Sequence, residues 1–391
     1  MNRLQASRPI VLAIFMISTF AIGMTEYVVT GLLTQFSMDL DVPISTTGLL
    51  LSVYALGVAV FGPILRMITI KFPTKTLLII FMGIFVASNI IAATAPNFEM
   101  LLVSRLLSAT MHAPFFGLSM AVAVSISTPE KRTAAIAAVQ GGLTIAIMIG
   151  VPFGSFLGGM FDWRYVFWFI VLIGVIAFVG IILTTPNHRP IDTPNLRKEL
   201  GMFKNKSVLL VIAIIVFGFS GVFTAYTFKE PMLRLFAGFD VTGITAALFC
   251  FGLGAVIGNF ISGRVVPKLL TERLMAALAV LAVILVTFTY LLQFSVTAFI
   301  VCFLFGAGTF GTTPLLNSKI IIAAREAPSL SGTVAASVFN LANAIGAFLG
   351  TLILDLSASY VIVTFVAASL ITLGFLLTLL THRVEDKSLY E

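Results

Sequence analysis

Runs of apolar residues long enough to cross a bilayer recur along the chain, and short stretches bearing proline, glycine or charge separate them. An α-helix rises 1.5 Å per residue, so about 20 apolar residues reach across the hydrocarbon core. The pattern predicts twelve such helices, over 9–33, 46–68, 76–95, 100–125, 134–159, 165–184, 207–232, 243–266, 273–293, 295–323, 331–356 and 358–381. The first run follows Met1 to Arg8, is too long for a signal-peptide core and lacks a small-residue cleavage site, so it is expected to stay as a spanning helix. The longest polar stretch, Thr185 to Lys206, holds Pro186, Pro190 and Pro194 and divides the helices six and six. The expected organisation is a six-helix unit over 1–184, a cytoplasmic linker over 185–206, and a second six-helix unit over 207–391 that ends in a short tail. Proline stops a continuing helix in the linker. Its basic end, with Leu196, Leu200, Met202 and Phe203, reads as a solvated connection or as a short amphipathic helix on the membrane surface.

Composition narrows the class further. Of 391 residues, 59% are apolar and 10% charged, whereas a soluble domain carries about 25% charged residues. A soluble enzyme, a disordered regulator and a nucleic-acid binder are excluded together. The net charge of +7 is spread thinly between apolar runs and forms no patch for nucleic acid. It informs topology instead. With the N-terminus inside, 18 of the 23 basic residues fall in inner segments, among them Arg66, Lys71, Lys131, Arg132, Arg189, Arg197, Lys198, Lys204, Arg264, Arg325 and Arg383. The outer loops hold Arg164, Lys229 and Arg234, so the positive-inside rule places both termini in the cytoplasm. Trp163 and Trp168 flank the outer turn between spans five and six, where aromatic membrane anchors belong. Cys250 and Cys302 sit in apolar segments without a CxxC pair or neighbouring ligands, and read as buried thiols.

The two halves echo each other. Span two ends with Gly57, Gly62, Pro63 and Arg66, and span eight with Gly254, Gly258, Gly263 and Arg264. Span five carries Gly150, Gly154 and Gly158, a four-residue spacing that Gly346 and Gly350 repeat in span eleven. Small residues at this spacing let helix backbones approach closely in lipid and mark a packing seam. Spans four and ten each contain one proline, Pro114 and Pro314, at similar depth. An all-α integral membrane protein with repeated halves is an architecture that rocks about a central site.

The segments GLLLSVYALGVAVFGP from Gly48, SRLLSATMHAPFFG from Ser104 and GLTIAIMIGVPFGSFLG from Gly142 resemble the major facilitator superfamily. The nearest likeness is to its twelve-span drug:proton antiporter branch, which includes bacterial sugar, arabinose and purine-nucleoside efflux permeases, and the MTEYVVTGLL segment around Glu26 fits the same group. The likeness is specific over about residues 20 to 170 and architectural beyond. It implies the fold of two pseudo-symmetric six-helix bundles. It also implies that Arg105 is the span-four arginine used in proton coupling, and that Gly150, Pro152, Gly154 and Gly158 form the span-five antiporter motif. The loop between spans two and three departs from the family pattern. TIKFPTKT from Thr69 keeps the lysines, lacks an acid and has Pro73 in the glycine's place, so the usual charge lock at that loop is not expected.

Glu26 is the one acid well inside the first half, 17 residues beyond Pro9 and so about 25 Å along the helix. A carboxylate in hydrocarbon is costly, which suits it to take up and release a proton as its surroundings open and close. The plainer alternative is a carboxylate paired to a neighbour or reaching the outer surface. Arg105 and His112 are seven residues apart on span four and face nearly the same way, two turns apart. Arg105 is permanently charged and has three partners open to it: Glu26, a backbone carbonyl or a substrate. His112 is either a titrating member of the same path or a neutral imidazole bonded between helices. Tyr226, Asn317, Asn340 and Asn343 are cavity candidates or helix-bridging groups. Lys319 is expected to reach along its stem to the inner surface. Lys229 and Glu230, adjacent at the outer end of span seven, are expected to form a solvated gate or a plain interfacial pair. No Walker sequence or Ser/His/Asp arrangement is present, so no enzymatic reaction, cofactor or metal is implied.

The function expected is export of small molecules such as drugs, sugars or nucleosides in exchange for protons, by a monomer in the cell inner membrane. A proton-coupled importer or facilitator of a sugar, nucleoside or related metabolite is the alternative, and a transport-silent membrane sensor a remote one. The partners are the substrate, protons and the lipid bilayer, without nucleic acid.

Overall fold

The computed structural model describes residues 2–69, 72–186, 200–324 and 328–384. Among the described residues twelve helices are long and apolar enough to cross a membrane: Arg8–Gly31, Ile44–Thr69, Thr74–Ala93, Phe98–Ser125, Pro129–Met160, Arg164–Thr184, Lys206–Tyr226, Val241–Ser262, Leu270–Leu291, Ser295–Ala323, Val334–Ser357 and Tyr360–Thr381, here called spans one to twelve. The protein is an all-α, multi-pass membrane protein. The expectations for Arg189, Arg197, Lys198 and Leu196 in the linker, for Lys71 and Arg325 in the loops, and for the final tail lie outside the described residues. The linker's described end, Leu200–Lys204, makes a short 3-10 turn whose Met202 packs against Val208 and Ala324.

Span seven ends earlier than its hydrophobicity predicts. It stops at Tyr226, a break follows at Thr227 and Phe228, and a separate helix covers Lys229–Ala237. Pro231 accounts for the break. In a continuous helix its ring would clash with the Thr227 carbonyl and leave that carbonyl without its donor. Span one changes at the matching place: the α-helix ends at Tyr27, a 3-10 turn covers Val28–Gly31, and a short helix resumes over Leu33–Asp39. Span five carries a π turn over Ala146–Gly150 just before Pro152, which cannot donate a hydrogen bond to the preceding turn.

The small residues serve as contact points within each half. A Cβ at Gly150 would lie 2.7 Å from Met24 Cγ, Gly154 abuts Val28, and Gly158 abuts Leu32, so span five packs along span one. In the second half Gly346 faces Ser220 and Phe223, and Gly350 faces Thr224 and Phe228, so span eleven packs along span seven in the same way. Spans two and eight repeat the pattern against spans four and ten, through Gly57 on Ala109 and through Gly254 and Gly258 on Phe303 and Ala307.

Four expectations about exposure are corrected. Trp163 is 2% exposed and is no lipid anchor. Its indole N–H donates to Asp39 at 3.0 Å, its ring lies edge-on to Phe36, and the Arg164 guanidinium covers it while pairing with Asp39 at 2.7 Å. Trp168 alone keeps an exposed ring. Lys319 does not reach the surface: it is buried, and its ammonium donates to Thr271 at 2.9 Å. Lys229 is a buried residue and not a loop residue, and Cys250 is half-buried whereas Cys302 is buried.

Candidate functional site

The Glu26 side chain lies one residue before the end of the span-one α-helix and is 10% exposed. Its Oε2 is 3.9 Å from Nε2 of His112, whose side chain is also 10% exposed. The other imidazole nitrogen, Nδ1, shares a 2.9 Å hydrogen bond with the Tyr54 hydroxyl, and the ring stacks on Phe116. Tyr54 also turns its face to Arg105, with the guanidinium carbon 4.1 Å from the ring centroid. Arg105 and His112 thus share one face of span four, as their spacing predicts, and a single tyrosine from span two meets both.

Arg105 is 1% exposed, and Nη1 donates to the Thr25 carbonyl at 2.6 Å. Of the three partners open to it, the structure supplies the backbone carbonyl, in the peptide unit that precedes Glu26. Nε and Nη2, the edge that can grip two acceptors at once, have no hydrogen-bond partner among the described residues. Thr25 is fixed from its other side by Asn89 of span three: its hydroxyl donates to the Asn89 amide oxygen at 2.8 Å, and the Asn89 amide nitrogen donates to the Phe85 carbonyl at 2.8 Å. The buried cation is therefore tied to the Glu26 backbone by a chain of three spans.

Tyr27, next to Glu26, meets the second half. Its ring packs edge-on to Tyr226 and Phe310, both at 6.3 Å between centroids, and Tyr226 and Phe310 each pack on Phe251. Tyr226 thus joins the Glu26 region through Tyr27. The three asparagines do not. Asn317 is exposed, Asn340 donates to the Ala336 carbonyl of its own helix at 3.0 Å, and Asn343 is buried with an amide oxygen that has no partner among the described residues. No hydrogen bond or ring contact joins them to Glu26 among the described residues. Gly150, Pro152, Gly154 and Gly158 lie behind span one as its packing surface, with Gly346 and Gly350 behind span seven, so they set helix position and touch none of the polar groups. Tyr54, Thr25, Asn89 and Tyr27 escape the sequence reading. Tyr54 and Asn89 were visible as polar groups within apolar runs, but their partners lie on other helices.

Among the described residues, the hydrogen bonds that cross between the halves gather toward the membrane face remote from both termini. Lys229 meets Thr30, Glu230 meets Thr34 and Ser45 meets Asp355 at that face, and Ser52 meets the Ala344 carbonyl deeper in the membrane. Closure of two repeated halves at one face is what alternating access requires of one end state. The sequence over residues 15–351 matches the profile of the Major Facilitator Superfamily. The chain belongs to the major facilitator superfamily. It is 45% identical to the Uncharacterized MFS-type transporter YfhI of Bacillus subtilis (strain 168), over 97% of this chain and 96% of that one. It is 32% identical to the Inner membrane transport protein YdhP of Escherichia coli (strain K12), over 95% and 96%. The crystal structure of the human organic anion transporter MFSD10 superposes with a TM-score of 0.66 at 16% identity, over 97% of this chain and 100% of that chain, a likeness of fold. As a superfamily member of this architecture the protein is a secondary transporter of small molecules.

Proposed function

We propose that this superfamily member is a proton-coupled antiporter that exports small molecules across the cell inner membrane. Two six-helix bundles, spans one to six and seven to twelve, rock about a site centred on Glu26. The observation that carries this reading is the Glu26 carboxylate inside the membrane, almost covered, 3.9 Å from His112 and beside an arginine already bound to a backbone carbonyl. A carboxylate so placed changes charge at the expense of its environment, so access to water controls its proton. Both termini are assigned to the cytoplasm by the excess of basic residues on their side. In that orientation the closed face is the outer one. The cycle follows from these assignments. Glu26 releases its proton inward as substrate binds, the bundles rock, and Glu26 is reprotonated from outside as substrate leaves.

Arg105 keeps a fixed positive charge near the carboxylate, and Tyr54 holds His112 in register with both. The names of the two bacterial relatives above carry no substrate, so the substrate is sought by screening. Purified protein in proteoliposomes, offered dyes, antibiotics, sugars and nucleosides, is expected to release protons when an exported compound is added. Substrate counterflow without any substrate-linked pH change contradicts antiport and favours a facilitator.

A further inference from the structure

Lys229 and Glu230, the first residues after the break in span seven, hold two places on the opposite half. Lys229 is 1% exposed, with its ammonium 3.4 Å from the centroid of the Tyr226 ring and 5.0 Å from that of Phe251. It donates to the Thr30 hydroxyl at 2.7 Å, and that hydroxyl donates in turn to the Tyr27 carbonyl at 2.8 Å. The Glu230 carboxylate, also buried, accepts from the Thr34 backbone N–H at 3.2 Å and from the Thr34 hydroxyl at 2.8 Å, and pairs with Arg234 one turn along its own helix. Beside them the Phe228 ring lies where a Cβ on Gly48 would fall, at 2.6 Å.

The division of labour is uneven. In these two contacts the second half supplies both charges, and the first half supplies neutral hydroxyls and one backbone N–H. Each ion also has company in its own half, Arg234 for Glu230 and two aromatic faces for Lys229. Drawing the halves apart therefore divides no ion pair. Removing one partner of a buried ion pair is strongly destabilising because a charge is stranded. A hydrogen bond from a neutral group to a charge contributes less, and water entering the gap replaces it.

We propose that Lys229 and Glu230 form the gate at the closed face, a latch whose charged arms rest on Thr30 and Thr34. The latch holds the seal shut and lets it open with each charge still accompanied. Because Thr30 also binds the Tyr27 carbonyl, the latch sits directly on the turn that carries Glu26. The inference rests on the alternating-access reading, and its test needs neither substrate nor gradient.

Nitroxide labels at Met38→Cys and Leu356→Cys report the separation of the two halves, since both positions are highly exposed at the closed face. They are placed in full-length protein carrying Cys250→Ala and Cys302→Ala, reconstituted in lipid nanodiscs, and read by pulsed electron–electron resonance. Thr30→Val with Thr34→Val, nearly isosteric but without hydroxyls, is expected to raise the ratio of long to short distances at least about tenfold, or about 1.4 kcal/mol. Thr30→Ser with Thr34→Ser restores the hydroxyls and is expected to return the parent distribution. An unchanged distribution in the valine pair, or a serine pair that opens as far as the valine pair, overturns the latch. Proton coupling is judged separately by transport, so either idea can fail alone.

Discussion

Tyr54 meets Arg105 with its ring face and His112 with its hydroxyl, so one substitution separates the two contacts. Tyr54→Phe keeps the ring under the guanidinium and removes the bond to the imidazole. A single interhelical hydrogen bond in a membrane protein contributes about 0.6 kcal/mol on average, so the variant is expected to melt close to wild type. Its transport-versus-pH profile is expected to change, and an unchanged profile would take His112 out of the proton path. Residue-level chemistry was legible where it depended on one helix. The seven-residue spacing of Arg105 and His112 was enough to put them on a common face. Lys229 was misread because a charge at the end of an apolar run looks like a loop residue. Its burial comes from Thr30, in the first span, and from rings on spans seven and eight, which no local pattern announces.

Among elements, the contact between spans one and five governs where Glu26 stands. Gly154 abuts Val28, two residues beyond Glu26, and Val166 Cγ1 lies 3.2 Å from where a Cβ would sit. Overpacking costs about 1–3 kcal/mol when neighbours must shift, so Gly154→Leu is expected to displace the turn of span one and to cut transport at least about tenfold in folded protein. Normal transport by that variant would remove the seam from the mechanism. A second contact ties the loop after span one to the start of span six. Partial burial acts to raise the Asp39 carboxyl, but hydrogen bonds from Arg164 and Trp163 outweigh it and hold the group below its ordinary 3.8. A carboxyl depressed on folding stabilises the fold above its unfolded value and loses that contribution as pH falls through its folded value. Asp39→Asn is therefore expected to lower the melting temperature near neutral pH, and only modestly because the side chain is 44% exposed. The gap to wild type should close in strong acid. An equal gap at both pH values would assign the effect to packing. The element pattern was legible from hydrophobic length, because lipid forces each backbone polar group into a helix. The break in span seven was also within reach, since Pro231 stands inside the predicted run.

At the scale of the whole molecule, twelve spans put both termini on one side, and the excess of basic residues is the ground on which we propose that this side is the cytoplasm. A cysteine replacing Lys206 is expected to react with permeant but not with impermeant maleimide in intact cells, and ready reaction with the impermeant reagent would invert the topology. Which face is closed could not be read from sequence, because it depends on contacts between residues about 200 or more positions apart, such as Thr34 with Glu230 and Ser45 with Asp355. Glu26 stands near the end of span one at the closed face, and its side chain and that of His112 are each still 10% exposed. The central claim is that Glu26 carries the coupled proton, and Glu26→Gln tests it with little change of shape. In proteoliposomes, with an exported substrate in hand, the variant is expected to exchange substrate at a rate near wild type. It is also expected to lose accumulation driven by an imposed pH gradient. Full gradient-driven accumulation by Glu26→Gln would contradict the account.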